Sequence, residues 1–199
     1  MGLWTMLSRA FGKKRQAKIL VVGLDNSGKS TLIHHMKVGS SKKSRDKDVF
    51  EATPTVGFHV EEFSNRENNI NFVVYDMSGQ GKYRSLWEHY YTDVQAIIYV
   101  FDSTDRLRLC VVKDELDTIL DNKELKNKRT PLLFFANKMD VAGSLSQADC
   151  AQELQLNKIK EHPWHISASN ALTGAGVAEG IEWLCGSIST AEESQSRKK

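Results

Sequence analysis

The chain has 199 residues, of which 40 % are hydrophobic and 26 % charged, and its formal net charge is +2. This length and apolar content suit one compact domain with a sizeable core, and the sequence has no apolar run long enough to cross a bilayer. The three cysteines are odd in number and lack metal-ligand spacing, which argues against a disulfide framework and against a zinc site.

The positive charge is concentrated at one end of the chain. Residues 1–18 contain five basic residues and no acidic residue, and the remaining chain has 22 basic and 25 acidic residues, a net charge of −3. This distribution favours contact with an anionic membrane surface over a nucleic-acid-binding face.

Residues 1–16 are predicted to form an amphipathic arm. Its apolar side chains recur at helical spacing, at Leu3, Leu7, Ala10 and Phe11. This pattern is typical of a helix that lies in a membrane interface, and packing of the same face on the domain is the alternative. Gly2 fits N-myristoylation, but the acceptor pattern calls for Ser or Thr where Met6 stands, so acylation stays open.

A phosphate-binding loop is predicted between a strand near residues 18–23 and a helix near 30–38. The sequence there follows the GxxxxGK[ST] pattern, in which backbone N–H groups and the helix N-terminus bind phosphate. Lys29 supplies a positive charge and the Ser30 hydroxyl a ligand for Mg²⁺. The predicted phosphate-binding residues of this loop are Gly23, Leu24, Asp25, Asn26, Ser27, Gly28, Lys29, Ser30 and Thr31.

Two further segments are predicted to sense the terminal phosphate, and we call residues 53–58 the first switch segment and residues 76–80 the second switch segment. Thr55, in the segment 53–58, is expected to be a second hydroxyl ligand of Mg²⁺, although the segment also reads as a proline turn before a strand. Farther along, Asp76 would hold Mg²⁺ through water, Gly79 would donate its N–H to the γ-phosphate, and Gln80 would orient the attacking water as the catalytic residue. Because these contacts need a third phosphate, hydrolysis would release both segments, which describes a switch.

The sequence N-K-M-D, which ends at Asp140, predicts guanine as the base. The Asp140 carboxylate can accept from both the ring N–H and the exocyclic amine of guanine, a pair of donors that adenine lacks. Asn137 is expected to tie this loop to the phosphate loop, and the Lys138 stem to lie along the base with its charge in solvent. Ser167 and Ala168 follow another strand signal, where a backbone N–H can reach the guanine oxygen.

Strands alternate with helices along the chain, which predicts an α/β fold. The further strands are expected near 58–64, 70–76, 95–101, 131–137 and 163–167, and the further helices near 105–121, 146–156 and 175–188. Only five residues separate the strands 58–64 and 70–76, too few for a parallel crossover, so these two should form an antiparallel hairpin. We therefore predict a six-stranded, mostly parallel sheet with helices on both faces.

Three other segments are interpreted less specifically. In the aromatic cluster after the second switch segment, Tyr90 and Tyr91 are expected in the core and Trp87 at an effector surface. The polar connection 39–52 reads as a solvated loop, with a second lipid-contacting patch as the alternative. The tail 191–199 has no apolar pattern and is predicted to be disordered.

These elements together resemble the Ras-like small GTPase superfamily of P-loop NTPases and, within it, the Arf and Arf-like branch. The discriminating features are the loop sequence Gly23-Leu24-Asp25, the segment 54–58 and the amphipathic arm, and the resemblance covers about residues 1–190. It implies an arm at 1–16, a small GTPase domain at 17–190 and a tail at 191–199.

Three further runs are similar to a ciliary subtype of this branch. They span residues 76–91, 102–108 and 163–166, and Ser78 stands where the general Arf pattern has glycine, as it does in that subtype. The resemblance implies a GTP/GDP switch that binds membranes in the GTP state and recruits a coat such as the BBSome for ciliary membrane protein trafficking. It also implies an exchange factor, a GTPase-activating protein and a cytoplasmic, peripheral membrane location at the cilium or basal body.

Hydrolysis is expected to be slow. The sequence places no arginine convincingly at the γ-phosphate, and Asp25 brings a negative charge near it. An arginine supplied by a partner accelerates such reactions by about 10³ to 10⁵. We expect a monomer with no nucleic-acid partner, and a constitutively GTP-bound scaffold without a hydrolytic cycle is the alternative function.

Overall fold

The computed structural model of the protein describes residues 15–39, 53–65, 67–126 and 128–196. The predicted amphipathic helix of the arm, with Gly2, lies outside these residues. So do the predicted polar connection 39–52, except for Gly39, and residues 197–199 of the predicted disordered tail. Within the described ranges, no helix has both the length and the apolar content that a membrane span requires.

Six strands form one sheet in the spatial order β2-β3-β1-β4-β5-β6. The strands are β1 (Arg15–Val22), β2 (Phe58–Asn65), β3 (Ile70–Met77), β4 (Ala96–Asp102), β5 (Leu132–Asn137) and β6 (Trp164–Ser169). All neighbouring pairs are parallel except β2 and β3, which form the predicted antiparallel hairpin, with Phe58 opposite Met77 and Asn65 opposite Ile70. The predicted fold class is therefore confirmed.

Helices cover both faces of this sheet. The α-helices are α1 (Lys29–Gly39), α2 (Leu109–Asp121), α3 (Lys123–Lys126), α4 (Gln147–Glu153) and α5 (Val177–Ser196). Short 3-10 helices span Gly81–Tyr90, which we call the switch helix, Arg106–Arg108 and Leu156–Lys158. A capping box begins α4, because the Ser146 hydroxyl accepts from the Asp149 N–H while the Asp149 carboxylate accepts from the Ser146 N–H.

The core lies in two layers, one on each face of the sheet. Trp87, Tyr99 and Phe134 belong to the layer under α2 and the switch helix, and Leu32 and Leu184 belong to the layer under α1 and α5. Every residue of β5 is buried, as expected for a parallel strand covered on both sides. This rigid centre fixes the positions of the loops at the carboxyl ends of the strands.

Several element boundaries differ from the sequence predictions: α2 begins later and α4 ends earlier than predicted, whereas β1 and α5 are longer. β1 begins at Arg15, before its predicted start, because its first residues pair with the beginning of β3. The prediction of disorder is wrong for residues 191–196, since α5 continues to Ser196. Alanine and glutamate are good helix formers, and extending a helix that is already anchored by packing requires no new nucleation.

Candidate functional site

The phosphate loop, residues 23–30, crosses the sheet edge where β1 ends, and its backbone can be built only with glycine at two places. Gly23 has φ +140°, and a Cβ there would lie 1.9 Å from the Val100 carbonyl oxygen. Gly28 has φ +94°, and a Cβ there would lie 2.3 Å from Nδ2 of Asn137. Leu24, Ser27, Lys29 and Thr31 are buried, whereas Asp25 and Asn26 are exposed.

The Lys29 side chain folds back into this loop. Its Nζ donates to the Leu24 carbonyl at 2.8 Å, and the residue is only 6 % exposed. Burial lowers the pKa of Lys29 to about 8, although Asp76 and Asp25 act in the opposite direction. A phosphate group in the loop would favour the charged ammonium, because an opposite charge stabilises it.

Three oxygen-bearing side chains from separate segments meet beside α1, and we call them the oxygen cluster. The Ser30 hydroxyl donates to Oδ2 of Asp76 at 2.5 Å and lies 3.1 Å from Oγ1 of Thr55. The other oxygen of Asp76, Oδ1, is buried and has no hydrogen-bond partner among the residues that the structure describes. Burial raises the pKa of Asp76, and the hydrogen bond from Ser30 partly offsets this effect. Hydroxyl and carboxylate oxygens with an unused acceptor fit the ligand preference of Mg²⁺.

The second switch segment lies directly against the phosphate loop. A Cβ on Gly79 would lie 2.2 Å from the carbonyl carbon of Leu24 and 2.3 Å from the amide nitrogen of Asp25, so no side chain fits there. Gln80 follows, half-buried, at the start of the switch helix. Both residues therefore lie beside the loop in which the sequence predicts the phosphates.

Asn137 connects the predicted base loop to the phosphate loop. Its Nδ2 donates to the Ser27 carbonyl at 2.8 Å, and its Oδ1 accepts from the Ala171 N–H at 2.9 Å and from the Ser169 hydroxyl at 3.3 Å. The predicted tie between the two loops is present. One buried amide thus joins β5, β6 and the phosphate loop.

Lys138 differs from its prediction. Its Nζ is paired with Oδ2 of Asp102 at 2.6 Å instead of extending into solvent. Burial alone would raise the pKa of Asp102, but hydrogen bonds from Lys138 and from Thr104 outweigh it and hold the pKa below its usual value. This pair could not be predicted from the sequence, because Asp102 ends β4 and meets β5 only through the sheet register.

The remaining predicted base-binding residues differ in how exposed they are. Asp140 is exposed and Ala168 is half-buried. The Ser167 hydroxyl is buried, and it lies 3.1 Å from where a Cβ of Gly180 in α5 would stand. The Ser167 side chain therefore packs towards α5, and contact with a base from this segment is left to its backbone.

Two arginines that the sequence analysis missed approach Asp25. Nη2 of Arg84, from the switch helix, lies 3.8 Å from Oδ1 of Asp25, and Nη1 of Arg108 lies 3.3 Å from its Oδ2. Arg108 is held in turn by Asp105, whose Oδ2 accepts from its Nε at 2.5 Å. For Arg108, the position of β4 beside β1 places the turn after β4 next to the phosphate loop, but this strand order is seen only in the folded sheet.

The aromatic cluster is mostly core. Trp87 is 1 % exposed, so the prediction that it faces an effector is wrong. Tyr91 is buried as predicted. Tyr90 is half-buried, and its ring centre lies 4.8 Å from that of Tyr75 and 5.4 Å from that of Phe58. A buried indole needs a hydrogen-bond acceptor for its N–H as well as apolar neighbours for its rings. An interior site that contains an acceptor provides both.

The sequence model of the ADP-ribosylation factor family matches residues 3–188. The chain belongs to this family. ADP-ribosylation factor-like protein 6 from Danio rerio is 48 % identical over 185 residues, which cover 92 % of this chain and 95 % of the relative. The protein of the same name from Caenorhabditis elegans is 38 % identical over 196 residues, which cover 98 % of this chain and 99 % of the relative.

A solved structure of an Arf-family protein is also similar. It is described as the Arl6 BBS3 small GTPase from Trypanosoma brucei with bound nucleotide analogue GppNp. It aligns with a TM-score of 0.78 and 41 % identity, and the match covers 88 % of this chain and 99 % of that one. Arf-family small GTPases hydrolyse GTP, so the chain is a GTP-binding switch and an enzyme of this class.

Proposed function

We propose that the loops at the carboxyl ends of the strands bind GTP and GDP together with Mg²⁺. In this proposal the phosphate loop holds the phosphates, the oxygen cluster holds the metal, with Asp76 acting through water, and Asp140 reads guanine. Bound Mg²⁺ would neutralise phosphate charge during hydrolysis. The observation that carries the proposal is the convergence of Ser30, Thr55 and Asp76, which come from three segments far apart in sequence.

Gln80 is proposed as the catalytic residue, and Gly79 as the donor to the γ-phosphate. Their support is the contact of Gly79 with the phosphate loop, which leaves the next residue beside the same loop. We propose no arginine of this chain at the γ-phosphate, so hydrolysis without an activating protein would be slow.

We further propose that the GTP form binds membranes through the arm and recruits a BBSome-like coat in ciliary trafficking. The charge of residues 1–18 supports the membrane contact. An exposed apolar strip at the end of the first switch segment and the start of β2 supports effector binding, with Val56 65 %, Phe58 43 % and Val60 48 % exposed. The relatives named ADP-ribosylation factor-like protein 6, one of them also named BBS3, support the choice of coat.

A coat-recruitment assay tests this function. Anionic liposomes would be mixed with purified BBSome and with the protein loaded with GDP or GppNp, and then sedimented. The coat should sediment only with the GppNp form, and Gln80→Leu with GTP should behave like that form because it does not turn over. Gln152→Leu, which changes an exposed glutamine of α4, is the matched control.

Three results would count against parts of the proposal. Coat recruitment that is equal in GDP and GppNp would remove the coat assignment while leaving nucleotide binding intact. Undiminished hydrolysis by Gln80→Leu in the presence of an activating protein would remove the catalytic role of Gln80. A wild-type protein that retains GTP without turnover would favour a constitutive scaffold.

A further inference from the structure

Two consecutive peptide groups around Gly79 are each held by a side chain of the switch helix. Nε1 of Trp87 donates to the Ser78 carbonyl at 3.1 Å. Nε of Arg84 donates to the Gly79 carbonyl at 2.8 Å. The proposed function uses neither side chain.

The geometry of the peptide bond connects these contacts to the proposed chemistry. A peptide group is planar, so holding its carbonyl oxygen also fixes the direction of the N–H on the next residue. The Ser78 carbonyl shares its plane with the Gly79 N–H, and the Gly79 carbonyl shares its plane with the Gln80 N–H. The contact with Ser78 therefore sets the orientation of the Gly79 N–H, which the proposed function places at the γ-phosphate. The contact with Gly79 fixes the backbone from which the Gln80 side chain extends.

We propose that Trp87 and Arg84 are positioning residues for GTP recognition and hydrolysis. Trp87 orients the Gly79 N–H towards the terminal phosphate, and Arg84 fixes the backbone from which Gln80 extends. This inference rests on the proposed roles of Gly79 and Gln80.

The surroundings of both contacts oppose rearrangement. Trp87 is 1 % exposed, so its indole N–H has no access to water and depends on the Ser78 carbonyl. On the opposite side, the phosphate loop leaves no room for even one carbon atom on Gly79. The segment is thus held between the phosphate loop and the switch helix.

Arg84 also anchors this segment to the body of the domain. Its Nη1 donates to Oε1 of Glu115 in α2 at 2.8 Å, and its side chain is 18 % exposed. The guanidinium is planar and rigid, so one side chain reaches Gly79 and Glu115 at fixed directions. A lysine in its place would keep the charge but could not span both acceptors with one ammonium in the same geometry.

The first test measures the affinities of Trp87→Phe for GDP and for GppNp. Phenylalanine keeps most of the buried aromatic volume and removes the N–H. We expect the ratio of GppNp affinity to GDP affinity to fall roughly three- to tenfold, the range expected for one hydrogen bond. A GDP affinity and a melting temperature close to wild type would show that the fold is retained.

The second test measures single-turnover GTP hydrolysis at saturating nucleotide for Arg84→Gln and Arg84→Lys. Both variants should lose roughly tenfold or more in rate, the range expected for a hydrogen bond from a charged donor, while GDP affinity stays close to wild type. Lys82→Gln, which changes an exposed cation of the same helix, is the matched control and should hydrolyse at the wild-type rate.

Each outcome decides the inference. Full rescue by Arg84→Lys would show that charge, and not position, is what matters, and it would overturn the role of Arg84. Equal losses of GDP and GppNp affinity in Trp87→Phe would show a purely structural role and overturn that of Trp87. If Gln80→Leu hydrolyses GTP as fast as wild type, the proposed role of Gln80 fails. If Gln80→Leu is slow but the Arg84 variants hydrolyse GTP at the wild-type rate, only the inference fails. If Trp87→Phe fails to fold, the hydrolysis rates of the Arg84 variants still decide whether the switch helix positions the segment around Gly79.

Discussion

Asp25 shows how the fold compensates a single unfavourable charge. Its carboxylate lies in the loop that we propose to bind phosphates, where a negative charge opposes binding. Two arginines from different elements approach it, Arg84 at 3.8 Å and Arg108 at 3.3 Å. The local charge is therefore balanced by residues that the phosphate-loop motif does not include.

Removing Arg108 should expose this charge. We expect Arg108→Ala to weaken GppNp binding by about 0.5 to 1 kcal/mol, a modest value because Asp25 is half-exposed and the pair is screened by solvent. The same substitution should weaken GppNp binding by less in an Asp25→Asn background, where no carboxylate is left to balance. Isothermal titration calorimetry on the four proteins checks this, with Arg106→Ala, at an exposed arginine, as the control. Equal losses in both backgrounds would contradict the account.

Asp102 provides a prediction about pH. Its pKa is lowered in the folded protein, although burial alone would raise it, because Lys138 and Thr104 donate to it. The unfolded chain therefore binds the proton more tightly, so this stabilisation is complete above the unfolded pKa of about 4 and is lost as the pH falls through the folded pKa.

The corresponding variant is Asp102→Asn. It should lower the free energy of unfolding by about 1 to 2 kcal/mol at pH 7, because it replaces a charged acceptor of several hydrogen bonds. Denaturant unfolding from pH 7 to pH 3 checks this, and the difference from wild type should narrow below about pH 4. Asp121→Asn, in an exposed ion pair with Lys126, should have little effect. A difference that stays constant over this range would show that the ionised carboxylate is not responsible.

Sequence reasoning about single residues succeeded where a motif fixes the local backbone. The tie from Asn137 to the phosphate loop was predictable, because each partner lies at the end of a strand in a recognisable loop. The partners of Asp25 and Lys138 were not, since they depend on which strands are neighbours. Trp87 was assigned to the surface for another reason: its hydrogen-bond acceptor is the backbone of Ser78, which leaves no side-chain pattern in the sequence.

At the scale of elements, hydrophobic periodicity and turn lengths predicted all six strands and the β2–β3 hairpin. The least predictable boundary was the end of α5, where helix propensity continues beyond the last apolar residue of the core. The switch helix was also difficult, because its sequence mixes buried and exposed aromatic residues with charged ones and adopts the 3-10 form.

The β2–β3 hairpin is the element whose movement we propose to couple nucleotide and arm. Within the described residues, β2 lies at the edge of the sheet and pairs only with β3, and all of its side chains are exposed or half-buried. A strand with one neighbour and little buried surface can change register at lower cost than a central strand. The Arf-family resemblance implies that such a slide displaces the arm from the domain.

Deleting residues 1–14 should therefore accelerate GDP release. The arm, when it is packed on the domain, opposes the slide, so its removal lowers the barrier. Release of fluorescently labelled GDP measures the effect. As a control, replacing Lys13 and Lys14 by glutamine should weaken liposome binding and leave the release rate unchanged, since the apolar face remains. An unchanged release rate after the deletion would count against the coupling.

At the scale of the whole molecule, the segment that carries the positive charge is separate from the loops proposed to bind the nucleotide. The nucleotide loops sit at the carboxyl ends of the strands, whereas β1 starts at Arg15 at the opposite end, where the basic arm joins the domain. With a net charge of −3 outside residues 1–18, the domain itself would be repelled by an anionic membrane. The proposed membrane attachment therefore depends on the arm being available.

The most direct test of this account is flotation of the full-length protein with anionic liposomes in GDP and in GppNp, with GTP turnover measured on the same preparation. We predict slow GTP hydrolysis, strong flotation in GppNp, weak flotation in GDP, and loss of the difference when residues 1–14 are deleted. Equal flotation in both nucleotides by a protein that retains GTP without turnover would contradict the membrane switch and leave a GTP-stabilised scaffold in its place.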